Sequence, residues 1–77
     1  MCLAVPARII SIAADRTAVV DILGVLRQAA LDLVPAAQVD DFVLIHAGFA
    51  IEIVSAEDAQ VTLDLLKEFP ELAEAGY

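Results

Sequence analysis

The sequence predicts a mainly β fold, five short strands curled into a small barrel, followed by a single C-terminal α-helix. Three observations predict it. The first two thirds of the chain are rich in Val, Ile and Leu in short runs punctuated by Asp, Gly and Pro, the pattern of strands between tight turns. At Ser55 the pattern changes to apolar residues at helical spacing. The chain has only 77 residues, room for one domain and one modest core. Closing such strands on themselves hides edges that would otherwise pair with other chains. The organisation that follows is one domain over residues 1–77, with a barrel over 1–54, a helix over 55–69 and a short tail over 70–77.

The first strand covers residues 3–12, with Pro6 confining that part to an edge or a bulge because it has no N–H to donate. Ala14, Asp15 and Arg16 turn into a second strand, 17–23, and Gly24 makes a tight turn into a third, 25–33, where Arg27 and Gln28 interrupt the apolar run. Residues 34–40, with Pro35, form the main loop. A fourth strand spans 41–47, and Gly48 allows a bulge or a close backbone approach before a fifth, 49–54. Ser55, Glu57 and Asp58 start the helix, a hydroxyl to cap free N–H groups and then acids near the positive helix end. Ala59, Leu63 and Leu66 share one face, and Val61, Leu65 and Phe69 are expected to widen that stripe. Pro70 stops the helix.

Apolar residues make up 61% of the chain, against roughly 45–50% in ordinary soluble proteins. A fold this small buries only about 60% of the surface of its unfolded chain. Part of the excess must therefore lie outside the core or at a contact surface, which favours a binding protein over a self-sufficient enzyme. The longest charge-free apolar stretch, 42–51, is about half of what a bilayer-crossing helix needs. The first residues lack a basic leader, and Pro6 interrupts the apolar ones, so no secretory signal is read and a cytoplasmic location is expected. The formal charge is −8, with only Arg8, Arg16, Arg27 and Lys67 positive. That balance opposes phosphate backbones and anionic lipid alike, so neither nucleic acid nor membrane is expected as a partner. With three Phe and one Tyr, the chain also lacks the stacking platforms of a single-strand-binding barrel. A basic protein partner suits the charge.

Cys2 is the chemically most informative residue. It is the only cysteine, so no internal disulfide supports the core. Its thiolate is a ligand for iron or a nucleophile toward an electrophilic carbon. Removal of Met1 would place an α-amine beside the thiol and offer a chelate. The plainer reading is a small, incidental hydrophobe near a terminus. His46 is the only histidine and falls on the same strand face as Phe42 and Leu44; a lone histidine there is usually a hydrogen-bonded core or rim residue, and less often a ligand. One Cys and one His cannot complete a tetrahedral site, so a metal held here must borrow ligands. No phosphate loop, His-Glu-x-x-His helix or serine elbow is present. Asp40 and Asp41 read as a solvated turn. Two other functions stay open at this point: a small thiol-dependent enzyme with Cys2 as nucleophile and His46 as base, and a generic protein-binding barrel.

Two segments together resemble a known family. Met1-Cys2-Leu3-Ala4-Val5-Pro6 is similar to the amino-terminal signature of the HypC/HupF/HybG hydrogenase maturation chaperones. The stretch Val43-Leu44-Ile45-His46-Ala47-Gly48-Phe49-Ala50 resembles that family's Val-x-Val-His-x-Gly-Phe-Ala strand. The resemblance implies an OB-like β-barrel with a C-terminal helix, and a chaperone rather than an enzyme. It implies two partners: the iron–sulfur protein HypD, where an iron carrying two cyanides and one carbon monoxide is assembled, and the precursor of the hydrogenase large subunit, which receives that iron. Iron is then a transient cargo shared with a partner, with no permanently bound cofactor. The family's cysteine maps onto Cys2, implicated in both contacts and in holding iron, and its histidine onto His46. Pro6 would shape the segment presenting Cys2, and Gly48 and Phe49 complete the second motif.

Overall fold

The computed structural model describes residues 4–69, in the order β1 (Val5–Ile12), β2 (Thr17–Ile22), β3 (Val25–Ala30), β4 (Phe42–His46), β5 (Phe49–Val54) and α1 (Ala56–Glu68). The strands close into a barrel in the order β1-β2-β3-β5-β4, with β4 returning to β1. This is the predicted OB-like barrel with a C-terminal helix. β1 closes it by serving two neighbours, β4 through Val5–Arg8 and β2 through Arg8–Ile12. The remaining junction, between β3 and β5, is parallel and consists of one pair, Ala30 opposite Phe49. There the Ala30 N–H donates to the Gly48 carbonyl at 2.9 Å. Among the described residues no helix is long and apolar enough to cross a membrane.

Alternation along each strand fills the interior. Val5, Ala7 and Ile9 of β1, Ala18, Val20 and Ile22 of β2, Val43 and Ile45 of β4 and Ala50 of β5 are all buried. Interleaving alanines with branched residues lets so narrow a barrel close without voids. Pro6 sits where the sequence requires. The β2 ladder begins only at Arg8, so at Pro6 the strand is paired on one side and its missing N–H removes no bond. A bulge in β1 falls further along, between Ile9 and Ser11.

The turns depend on residues with positive φ. Arg16 (φ 67) ends the β1–β2 turn, which is closed by Arg16 N–H to Ala13 O at 3.0 Å and Ala13 N–H to Thr17 O at 2.9 Å. This is a three-residue hairpin loop whose last position ordinarily takes glycine. The Thr17 N–H donates to the Asp15 carboxylate at 3.0 Å and holds that carboxyl below the usual range. Leu23-Gly24 and Ala47-Gly48 each have positive φ at both positions, which defines two-residue type I′ turns matched to strand twist. Gly48 is thus a turn residue. Of the bulge or close backbone approach expected there, the approach forms, with the Ala30 N–H on the Gly48 carbonyl, while the bulge lies in β5 at Ile51, between the pairs Leu44–Glu52 and Ile45–Ala50.

The third strand is shorter than predicted. It ends at Ala30, and residues 31–41 coil in successive turns closed by Val34 N–H to Leu31 O and Ala37 N–H to Val34 O, both 3.0 Å. Leu31, Val34 and Ala37 are buried at a spacing of three, so the run that resembled a strand is a coil packed into the core. Arg16 anchors it. The Leu31 N–H donates to the Arg16 carbonyl, and the guanidinium reaches the carbonyls of Val34, Pro35 and Ala37 at 3.4, 3.1 and 3.4 Å. These bonds explain why arginine holds a position that favours glycine. Arg16→Ala, which keeps the backbone strain and loses the bonds, is expected to lower stability by about 1–2 kcal/mol. Arg16→Gly relieves the strain and should recover roughly 1 kcal/mol of that loss in urea unfolding.

Helix α1 opens as its sequence predicts, with Ser55 Oγ accepting the Asp58 N–H at 3.1 Å and acids Glu57 and Asp58 in the first turn. Ala59, Leu63 and Leu66 are buried against the barrel. Val61, Leu65 and Phe69 do not widen that stripe. They are 65%, 59% and 49% exposed and lie on the other side of the helix. Phe69 caps the helix through its N–H to Leu66 O at 3.1 Å. Pro70, the predicted stop, and the tail lie outside the described residues.

Candidate functional site

The second sequence motif folds into the β4–β5 hairpin. Val43 and Ile45 point inward and are fully buried, which turns Phe42, Leu44 and His46 to the outside. His46 is the last residue of β4 and is exposed; Phe49 is the first of β5 and is 48% exposed. The two are register partners across the Ala47-Gly48 turn, so imidazole and phenyl ring stand side by side on one face. The adjacent outer pair is Leu44 with Glu52. Pro6 of β1 is opposite Leu44 and shares this outer face, yet its side chain is fully buried. Helix α1 covers it, forming a small groove lined by Pro6, Leu44, Val54, Asp58, Ala59 and Thr62.

The hairpin tip is therefore anchored at its base and open at its end. Arg8, the next outward residue of β1 after Pro6, pairs with Asp40 at 2.8 Å, an exposed bond of at most about 1 kcal/mol. Asp41 accepts the Gln38 N–H at 2.9 Å, so the two adjacent acids are turn residues, as read from the sequence. Phe49, Ile51 and Ile53 of β5 remain 39–48% exposed; Phe49 stands beside His46, the next outer pair on that face is Leu44 with Glu52, and Ile53 is opposite the inward-facing Val43. Sequence reasoning missed Ile51 and Ile53, because regular alternation would have buried one face of β5, and the bulge breaks it.

Structure brings together His46, Phe49, Gly48 and, one residue pair away, Pro6. Cys2 lies outside the described residues. Among the described residues no three His, Cys, Asp or Glu side chains converge as a metal site.

Ala47 occupies one of the two positions whose identity the motif leaves free, and its φ of 53 is unfavourable for alanine. Ala47→Asn suits a type I′ turn before glycine and is expected to raise stability by about 0.5–1 kcal/mol, read as a higher urea midpoint with an unchanged slope.

The HupF/HypC family profile matches residues 1–66. The chain is 44% identical over 68 residues to hydrogenase maturation factor HypC of Cupriavidus necator, covering 88% of this chain and 76% of that protein. It is 39% identical over 69 residues to hydrogenase maturation factor HypC of Helicobacter hepaticus, covering 88% and 80%. It is 32% identical over 74 residues to hydrogenase maturation factor HybG of Escherichia coli, covering 88% and 90%.

Proposed function

The chain belongs to the HupF/HypC family, and from that membership we propose that it is a cytoplasmic hydrogenase maturation chaperone. In this reading it binds HypD and the hydrogenase large-subunit precursor, and Cys2 helps assemble and deliver an iron unit carrying two cyanides and one carbon monoxide. The observation that carries the proposal is the family match over residues 1–66, which contains both the Cys2 segment and the His46 hairpin.

The barrel geometry supports it. β1 begins at Val5, whose register partner is Ile45, so the chain enters the barrel beside His46. Three residues of chain from Cys2 to Val5 span at most about 11 Å. Pro6, buried beneath α1, anchors that entry. The thiolate of Cys2 is a soft, anionic donor suited to iron, and ligation requires loss of its proton, near pH 8.5 for an unperturbed thiol. His46 offers an imidazole nitrogen as a ligand or a hydrogen-bonding group. The remaining iron ligands are supplied by cyanide, carbon monoxide and the partner, which is why such a site transfers its cargo instead of keeping it. Exposed Phe49, the register partner of His46, gives the partner apolar surface beside the histidine.

The test is co-purification of the tagged chain with HypD from anaerobic cells, wild type beside Cys2→Ala, reading bound iron and the infrared bands of cyanide and carbon monoxide. Wild type is expected to bring down HypD with those bands, and the variant to lose both while keeping its fold. A variant that still binds HypD and still supports hydrogenase maturation would remove Cys2 from the mechanism.

A further inference from the structure

Helix α1 presents two apolar faces, and the barrel uses only one. At about 100° per residue, Val61 and Leu65 lie roughly 200–240° round from the buried Ala59, and Phe69 follows as the C-cap residue. Val61 and Leu65 form an i, i+4 stripe that the C-cap Phe69 extends, and each of the three is about half exposed or more. Such a stripe is a recognition surface when it is ordered on a docked helix and bordered by charge of one sign.

The border here is acidic. Glu57 and Glu68 run beside the stripe, at roughly 160–180° on the same wheel, and Asp58 stands at its N-terminal end. Lys67, the helix's one cation, lies at about 80°, where it meets Asp64 at 3.5 Å, and Gln60 donates to the same carboxylate at 2.8 Å. No cation therefore borders the stripe among the described helix residues, on a chain whose formal charge is −8. A second copy of this chain would bring the same carboxylates against their like, and an anionic lipid surface would be repelled.

We propose that the Val61–Leu65–Phe69 face of α1 docks a basic amphipathic helix of a partner protein, apolar residues seating on the stripe and Lys or Arg meeting Glu57 and Glu68. This surface lies on the helix, apart from the His46 hairpin, and its partner is defined by charge and apolar spacing alone.

The experiment is NMR titration of the full-length, isotope-labelled chain, without iron or HypD, at physiological ionic strength. Three synthetic peptides are used: a helix with leucines at i, i+4 and i+8 flanked by lysines, the same peptide with glutamate for lysine, and a scramble of the basic peptide with its leucines spread round the helix. The basic amphipathic peptide is expected to shift the amides of residues 57–69 and to bind at least tenfold more tightly than either control. Val61→Ser/Leu65→Ser should weaken it at least tenfold with unchanged circular dichroism, and Glu57→Lys/Glu68→Lys should reverse the charge preference. Equal binding of the scramble, shifts confined to the barrel, or no binding at all would overturn the proposal. So would sedimentation as a dimer that Leu65→Ser dissolves, or shifts of the stripe amides on removing residues 70–77 alone. Because iron and HypD are absent, failure here leaves the maturation reading untouched.

Discussion

Truncation of Ile45 to alanine is expected to unfold a large fraction of this protein near body temperature. Ile45 is fully buried and links the barrel's longest-range junction to its last hairpin, paired with Val5 of β1 on one side and Ala50 of β5 on the other. Its neighbours Val5, Ala7, Ile9 and Val43 are held in backbone ladders and cannot collapse into the space. Removing an isoleucine in such a setting costs about 2–5 kcal/mol. A chain of 77 residues has only about 4–12 kcal/mol to lose, at 0.05–0.15 per residue. The thermal midpoint should fall by on the order of 20 °C. Ile45→Val, which removes one methylene and keeps the branch, should cost about 0.5–1.5 kcal/mol. Equal behaviour of the two variants in calorimetry would mean that the barrel centre is not packed as described.

The second large effect is expected on α1. Leu63 is 9% exposed and belongs to the core cluster through its contact with the barrel. An aspartate there must either bury an unpaired carboxylate or pull the helix off to keep it hydrated. The helix has 13 residues, too few to be stable alone in water, so undocking and melting coincide. Leu63→Asp should lose most helical circular dichroism and lower stability by about 2–4 kcal/mol. It should also expose Pro6 to solvent. Val61→Asp, one helical face away, should change stability by less than about 0.5 kcal/mol. The contrast between the two tests the assignment of helix faces directly.

Much of this was legible in the residues. Alternating Val and Ile with Gly or Asp turns placed five strands and their hairpins, and Ser55 with Glu57 and Asp58 placed the helix start. Three features were not. Leu31, Val34 and Ala37 repeat every three residues, but the intervening Leu33 is apolar too, so the segment resembled a strand continuing from β3. Nothing in an arginine announces a left-handed backbone; Arg16 adopts one because the loop it clamps is distant in sequence. The helix pattern contained two stripes that a count of apolar positions merges into one, and only the barrel decides which is covered. At the candidate site, the exposure of His46 and Phe49 follows from the burial of Val43 and Ile45; alternation put His46 on one face with Phe42 and Leu44 but did not say which face the barrel buries. Their side-by-side placement followed once Ala47-Gly48 formed a two-residue turn.

The single bridge between β3 and β5 has a dynamic consequence. Every other junction of the barrel is a ladder of several pairs, whereas this one is Ala30 against Phe49. The barrel should breathe there first, the three-stranded meander and the hairpin parting while each stays intact. Hydrogen exchange at the Ala30 amide would then proceed through a small opening insensitive to denaturant, while the Val20 amide waits for global unfolding. Phe49 belongs both to that clasp and to the exposed hairpin face, so any ligand that prefers the closed clasp must slow Ala30 exchange. By linkage, closing the clasp tightens that ligand in equal measure.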